Sequence, residues 1–159
     1  MLKRLREDYK ILKNSEEFKN YGFLCGAFLI CNIEEIDKTP WQIDFYNKKN
    51  DTITTYLIDK KIEVTDDSKI LKDEKTEIEE LNLNDVKIDF EDIKEKLDNI
   101  LKKYNETAVK ITIILQTQKF PIWNVIFITK KINIINVKIN AINGSVVEDN
   151  MVPLITVEK

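Results

Sequence analysis

The sequence predicts an α+β fold of two tandem helix-plus-antiparallel-sheet repeats, and three observations carry that expectation. Trp41-Gln42-Ile43-Asp44-Phe45 falls on Trp123-Asn124-Val125-Ile126-Phe127 at a constant offset (123 − 41 = 82). The same shift lays Leu29, Cys31 and Ile33 on Ile111, Ile113 and Leu115, and Thr55 and Leu57 on Val137 and Ile139. Each half also opens with helical periodicity and continues into three β-rich stretches.

In the first half Leu2, Leu5, Tyr9 and Leu12, then Phe18 and Tyr21, form an apolar stripe, with Asn14-Ser15 as a break and Gly22 as a stop. Strand-type stretches follow at Phe23 to Ile33, Trp41 to Tyr46 and Thr52 to Asp59, then Ile62-Glu63-Val64 after Lys60-Lys61. Residues 66–86 read as an acidic, ordered connector whose Ile70, Leu71, Ile78, Leu81 and Leu83 are apolar enough to lie against a surface. In the second half Phe90, Ile93, Leu97, Ile100, Leu101 and Tyr104 share one face of a helix over 89–104, with Asp89 as its cap and Asp92 at the third position. Strands are expected at Val109 to Gln116, Trp123 to Thr129 and Ile132 to Ala141, broken by Lys119-Phe120-Pro121 and Lys130-Lys131. Asn143-Gly144 then turns the chain into two short strands, near Ser145 to Val147 and Val152 to Val157. The expected units are 1–65, the connector 66–86, and 87–159 with its C-terminal strand.

A chain of 159 residues with 43% hydrophobic content can bury a core. Its formal charge is −3 with 33% charged residues of both signs, so it offers no basic field for a run of phosphates, and nucleic acid is not expected as a partner. The N-terminus lacks an apolar signal-type core, and the longest apolar run, Phe23 to Cys31, is too short to span a bilayer. No membrane partner and a cytoplasmic location are therefore expected. Cys25 and Cys31 lie six residues apart, too far to pair within a strand or a helix, and read as buried thiols.

The chain has no histidine, which excludes Ser-His-Asp and Cys-His arrangements and zinc sites that need imidazole. Its three glycines, Gly22, Gly26 and Gly144, form no phosphate-binding cluster. Asp66-Asp67 and Asp89-Asp92 lack the spacing of a calcium loop. No catalytic residue, metal site or cofactor is expected.

The run Val137-Lys138-Ile139-Asn140-Ala141-Ile142-Asn143-Gly144-Ser145-Val146-Val147, following a helix and a strand that opens on Trp123, resembles the PepSY-like family. That family typically ends its third strand in Asp-Ala-x-Thr-Gly and continues into a short apolar strand. Here Asn140 stands for the acidic residue and Asn143 for the threonine. The resemblance covers roughly residues 88–148 and reaches the first half through the internal repeat. It implies tandem PepSY-like repeats and a non-catalytic module that folds against or inhibits a protein, often a peptidase.

Trp41, Ile43 and Phe45 alternate with polar neighbours and share the face expected under the helices, as do Trp123, Val125 and Phe127. The opposite face is apolar as well. Ile114, Ile126, Ile128 and Ile134, with Ile132, supply it in the second half; Phe28, Ile30, Tyr46 and Tyr56 do so in the first. Strands apolar on both faces are usually covered on both, so Ile114, Ile126, Ile128, Ile134, Tyr46 and Tyr56 are the candidate binding residues. Three readings follow: a protein or peptide interaction module, a homodimer, or a small-molecule site or enzyme using Asp44, Asp59, Tyr46 and Gln116 in a cleft between the repeats.

Overall fold

The computed structural model describes residues 1–19, 22–69 and 77–155. Its elements run α1 (Leu2–Lys13), β1 (Phe23–Asn32), β2 (Gln42–Asn47), β3 (Thr52–Ile58), β4 (Ile62–Lys69), α2 (Lys94–Lys103), β5 (Ala108–Gln118), β6 (Phe120–Thr129), β7 (Asn133–Asn140) and β8 (Val146–Pro153). Short 3-10 turns sit at Ile33–Glu35, Leu83–Asp85 and Phe90–Ile93.

All eight strands join one antiparallel sheet in the order β4-β3-β2-β1-β5-β6-β7-β8. This corrects the expectation of two helix-plus-sheet repeats. Had the halves stood apart, β1 and β5 would each have been an open edge. Instead Gly26 to Asn32 pairs with Gln116 to Lys110, fusing the halves into a sheet-dominated fold with helices of only 12 and 10 residues.

One face of the sheet carries the core. Trp41, Ile43, Leu29, Ile113, Leu115, Trp123, Val125, Val137 and Ile139 are each fully buried on it. Leu2, Leu5 and Leu12 from α1 and Ile93, Leu97 and Ile100 from the second helical segment cover them. Leu81, Leu83 and Val86 of the expected connector join the same core, and the Leu81 N–H donates to the Leu24 carbonyl at 2.8 Å. The Asp89–Asp92 capping box forms as expected, with the Asp89 carboxylate also accepting from the Leu2 N–H at 3.1 Å and thereby tying α1 to α2's start.

Several boundaries move. The first unit's expected end at 65 falls inside β4, which runs on to Lys69. The break expected at Lys119-Phe120-Pro121 contracts to Lys119 alone, held at φ 69° between the paired Gln118 and Phe120. The two short C-terminal strands prove to be one, β8, laid along β7 from Ile139 to Asn133. It starts where expected because the Asn140 side chain accepts from the Ile142 N–H (2.8 Å) and Gly144 takes φ +78°. Tyr21, Ile70, Leu71 and the expected end of the last strand at Val157 lie outside the described residues.

Candidate functional site

Register identifies the residues on the face opposite the helices. Gln42, Asp44 and Tyr46 on β2 pair with Leu57, Thr55 and Ile53 on β3. Gly26, Phe28 and Ile30 on β1 pair with Gln116, Ile114 and Thr112 on β5. Ile126 and Ile128 on β6 then pair with Asn136 and Ile134 on β7. Ile114, Ile126, Ile128 and Ile134 therefore all lie on this open face, each half-buried by its neighbours, and Ile30 is 57% exposed there.

Tyr46 is on the open face but buried, and its hydroxyl donates to Asp51 Oδ1 at 2.5 Å. Tyr56 is a correction. It is fully buried on the helix side, against Phe18 and Phe45. Ile43 pairs with Tyr56 whereas Val125 pairs with Val137, so Tyr56 occupies Val137's place, one residue out of step with the offset of 82. A one-residue slip exchanges the two faces of a strand. Thr55 and Leu57 accordingly face the open side and Tyr56 the core.

Asp44 and Asp59, both named for a site in a cleft, are not brought together. Asp44 sits opposite Thr55, while Asp59 is an exposed residue of the β3–β4 turn, four residues further along and so about 13 Å away. What does come together is Asp44 with Gln116. Gly26 stands between them, paired with Asp44 on β2 and Gln116 on β5, so no side chain separates the two across roughly 10 Å of sheet. An added Cβ at Gly26 would press on the Leu115 carbonyl at 3.3 Å, beside the irregularity in β1 between Leu24 and Gly26. Neither Gly26 nor Thr55 is among the candidate site residues read from the sequence; an isolated glycine inside a strand is the signal that points to the first.

Around these residues lies an open groove of about 1000 Å³. Asp44, Gln116 and Ile114 line it, Ile53 reaches it from β3, Val147 from β8, and the chain at 77–79 from one side. Strands six places apart in the sheet order therefore contribute to one concavity. The Asp44 carboxylate accepts the Thr55 hydroxyl at 2.6 Å. Burial nonetheless raises its pKa to about 6, the Thr55 hydrogen bond opposing the shift. Behind it the Cys25 thiol donates to the Asp44 carbonyl at 3.4 Å, and burial, with the Asp44 charge second, pushes that thiol up to about 12.

A second groove of about 870 Å³ lies on the helix side between α1 and residues 80–87. Arg6, Lys10, Lys13 and Lys87 give it cationic walls, but the Arg6 guanidinium is committed to the carbonyls of Leu83 and Val86, both at 3.2 Å. Among the described residues no group of three or more Cys, Asp or Glu gathers to hold a metal ion, and no helix is long and apolar enough to cross a membrane.

No family model matches this chain, and no curated protein matches it. A solved structure similar to it is the crystal structure of a "putative lipoprotein" from Clostridium difficile 630. The two share 13% sequence identity over 94% of this chain and 89% of that one, with a TM-score of 0.44.

Proposed function

We propose that this protein is a non-catalytic binding module that holds a protein segment or peptide against the open face of its sheet. The observation that carries the reading is the groove itself: apolar Ile53, Ile114 and Val147 line it together with polar Asp44 and Gln116, and Glu77, Glu79 and Lys119 add charge. Apolar walls with a few placed polar groups suit an amphipathic segment. Ile126, Ile128 and Ile134 extend the apolar floor across β6 and β7. The likeness of Val137 to Val147 to PepSY-like proteins supports the same class of function.

The test is site-specific photocrosslinking in the cells that make the protein. A photoreactive residue at Ile114 should yield one discrete protein adduct, and the same residue at Lys3, on the solvent side of α1, should yield none. Equal labelling from both positions, or none from Ile114, would overturn the reading.

A further inference from the structure

The two edges of the sheet are built differently. β4 reads Ile-Glu-Val-Thr-Asp-Asp-Ser-Lys, a sequence with four charged residues in eight. β8 reads Val-Val-Glu-Asp-Asn-Met-Val-Pro, is equally long, and carries neither lysine nor an interior proline. Val147 and Val152 are each about half exposed, and Val146, Met151, Leu154 and Ile155 are exposed with them. A long edge strand with exposed apolar ends is a template for another strand.

The hydrogen-bond phase of β8 indicates which of its groups are free. The Leu154 N–H donates to the Ile132 carbonyl at 3.0 Å, in the same register as the pairs Val152–Ile134, Asn150–Asn136 and Glu148–Lys138. In an antiparallel ladder, bonded and non-bonded pairs alternate, so the even-numbered residues point their backbone groups at β7 and Asp149 and Met151 point theirs outward. Asp149 and Met151 are therefore the residues that offer both an outward N–H and an outward C=O at the centre of this edge.

We infer that β8 pairs antiparallel with β8 of a second copy of this chain, about a two-fold axis at Asn150. That register sets Asp149 against the partner's Met151 and Met151 against the partner's Asp149, which uses every outward N–H and C=O of the two residues. It also sets Glu148 against the partner's Val152, so no two carboxylates stand opposite each other. Moving the axis to Glu148 or Asp149 would oppose like charges. Asp149 is already partnered within its own chain, by Lys103 Nζ and the Tyr104 hydroxyl, both at 2.6 Å. The apolar ends of each strand, Val146-Val147 and Val152 to Leu154, are brought together. This surface is the backbone edge of β8 and shares with the groove only Val147, while Asp44, Gln116, Ile53 and Ile114 lie on other strands, so a monomeric chain would leave the binding reading standing.

The experiment uses sedimentation velocity on the full chain and on two variants, Asn150→Lys and Asn150→Asp. Asn150 is exposed, so neither change touches the core. The wild-type chain should sediment as a dimer. Each variant places like charges across the axis and should weaken association on the order of tenfold or more. Mixing the two variants should restore the dimer, because lysine then faces aspartate, an outcome that misfolding of either variant cannot produce. A monomeric wild-type chain, variants as dimeric as the parent, or a mixture that fails to recover would each overturn the inference.

Discussion

Trp123 donates its indole N–H to the carbonyl of Ile88 at 2.9 Å, locking β6 to the segment that leads into α2. Trp41 holds the matching position in the first half and is equally buried, but its indole N–H has no partner among the described residues. The two tryptophans fill the same kind of space with different polar outcomes.

Substitution by phenylalanine separates the two effects. Trp123→Phe loses volume and a hydrogen bond and leaves the Ile88 carbonyl unpaired; Trp41→Phe loses volume and relieves an unpaired donor. Denaturant titration should show Trp123→Phe as the costlier change by about 1–2 kcal/mol. Alanine at either position should cost about 3–5 kcal/mol. Equal costs for the two phenylalanine variants would contradict the hydrogen-bond difference.

Asp44 gives the fold a pH signature. Burial lifts its carboxyl from the ordinary aspartate range to about 6 in the folded chain, so the folded chain holds that proton more tightly than the unfolded one. The resulting stabilisation is complete below about pH 4 and is lost as pH rises through 6. Asp44→Asn keeps an acceptor for the Thr55 hydroxyl and removes the titration. The variant should gain about 1–2 kcal/mol on the parent at pH 7 and nothing at pH 4, read from melts at the two values. A variant less stable at pH 7 would place a favourable charge partner on Asp44.

Cys25 should be inert in the native state. The thiol is buried, and its pKa is raised to about 12, so almost no thiolate is present at neutral pH. A maleimide reagent should label it only after denaturant is added, with peptide mapping to separate it from half-buried Cys31. Rapid native labelling at Cys25 would contradict the packing of β1 against Asp44.

Local pattern made individual elements legible in the sequence, and long-range register did not. Alternation in Trp41 to Phe45 and Trp123 to Phe127 placed both core faces, and the spacing of Asp89 and Asp92 marked the cap that forms. The repeat did not reveal that its halves share a sheet, because the β1–β5 pairing joins residues 78 to 90 apart (110 − 32 to 116 − 26) and leaves no local trace. Nor could a constant offset survive into β3. The one-residue slip between β2–β3 and β6–β7 reverses the sides of that strand, which is why Tyr56 was expected outside and lies inside. At the site, Asp44 and Gln116 were both singled out from the sequence, but their approach across Gly26 depends on three strands being in register.

The central claim, a sheet face left open for a partner, is tested most directly by the double variant Ile126→Ser, Ile128→Ser. These two side chains are half-buried on the face opposite Trp123, Val125 and Phe127. Denaturant titration of the isolated protein should show a loss of no more than about 1–2 kcal/mol, while the adduct formed from Ile114 in cells disappears. A loss of 4 kcal/mol or more, the order expected when hydroxyls replace core isoleucines, would show that this face is internal and contradict the account.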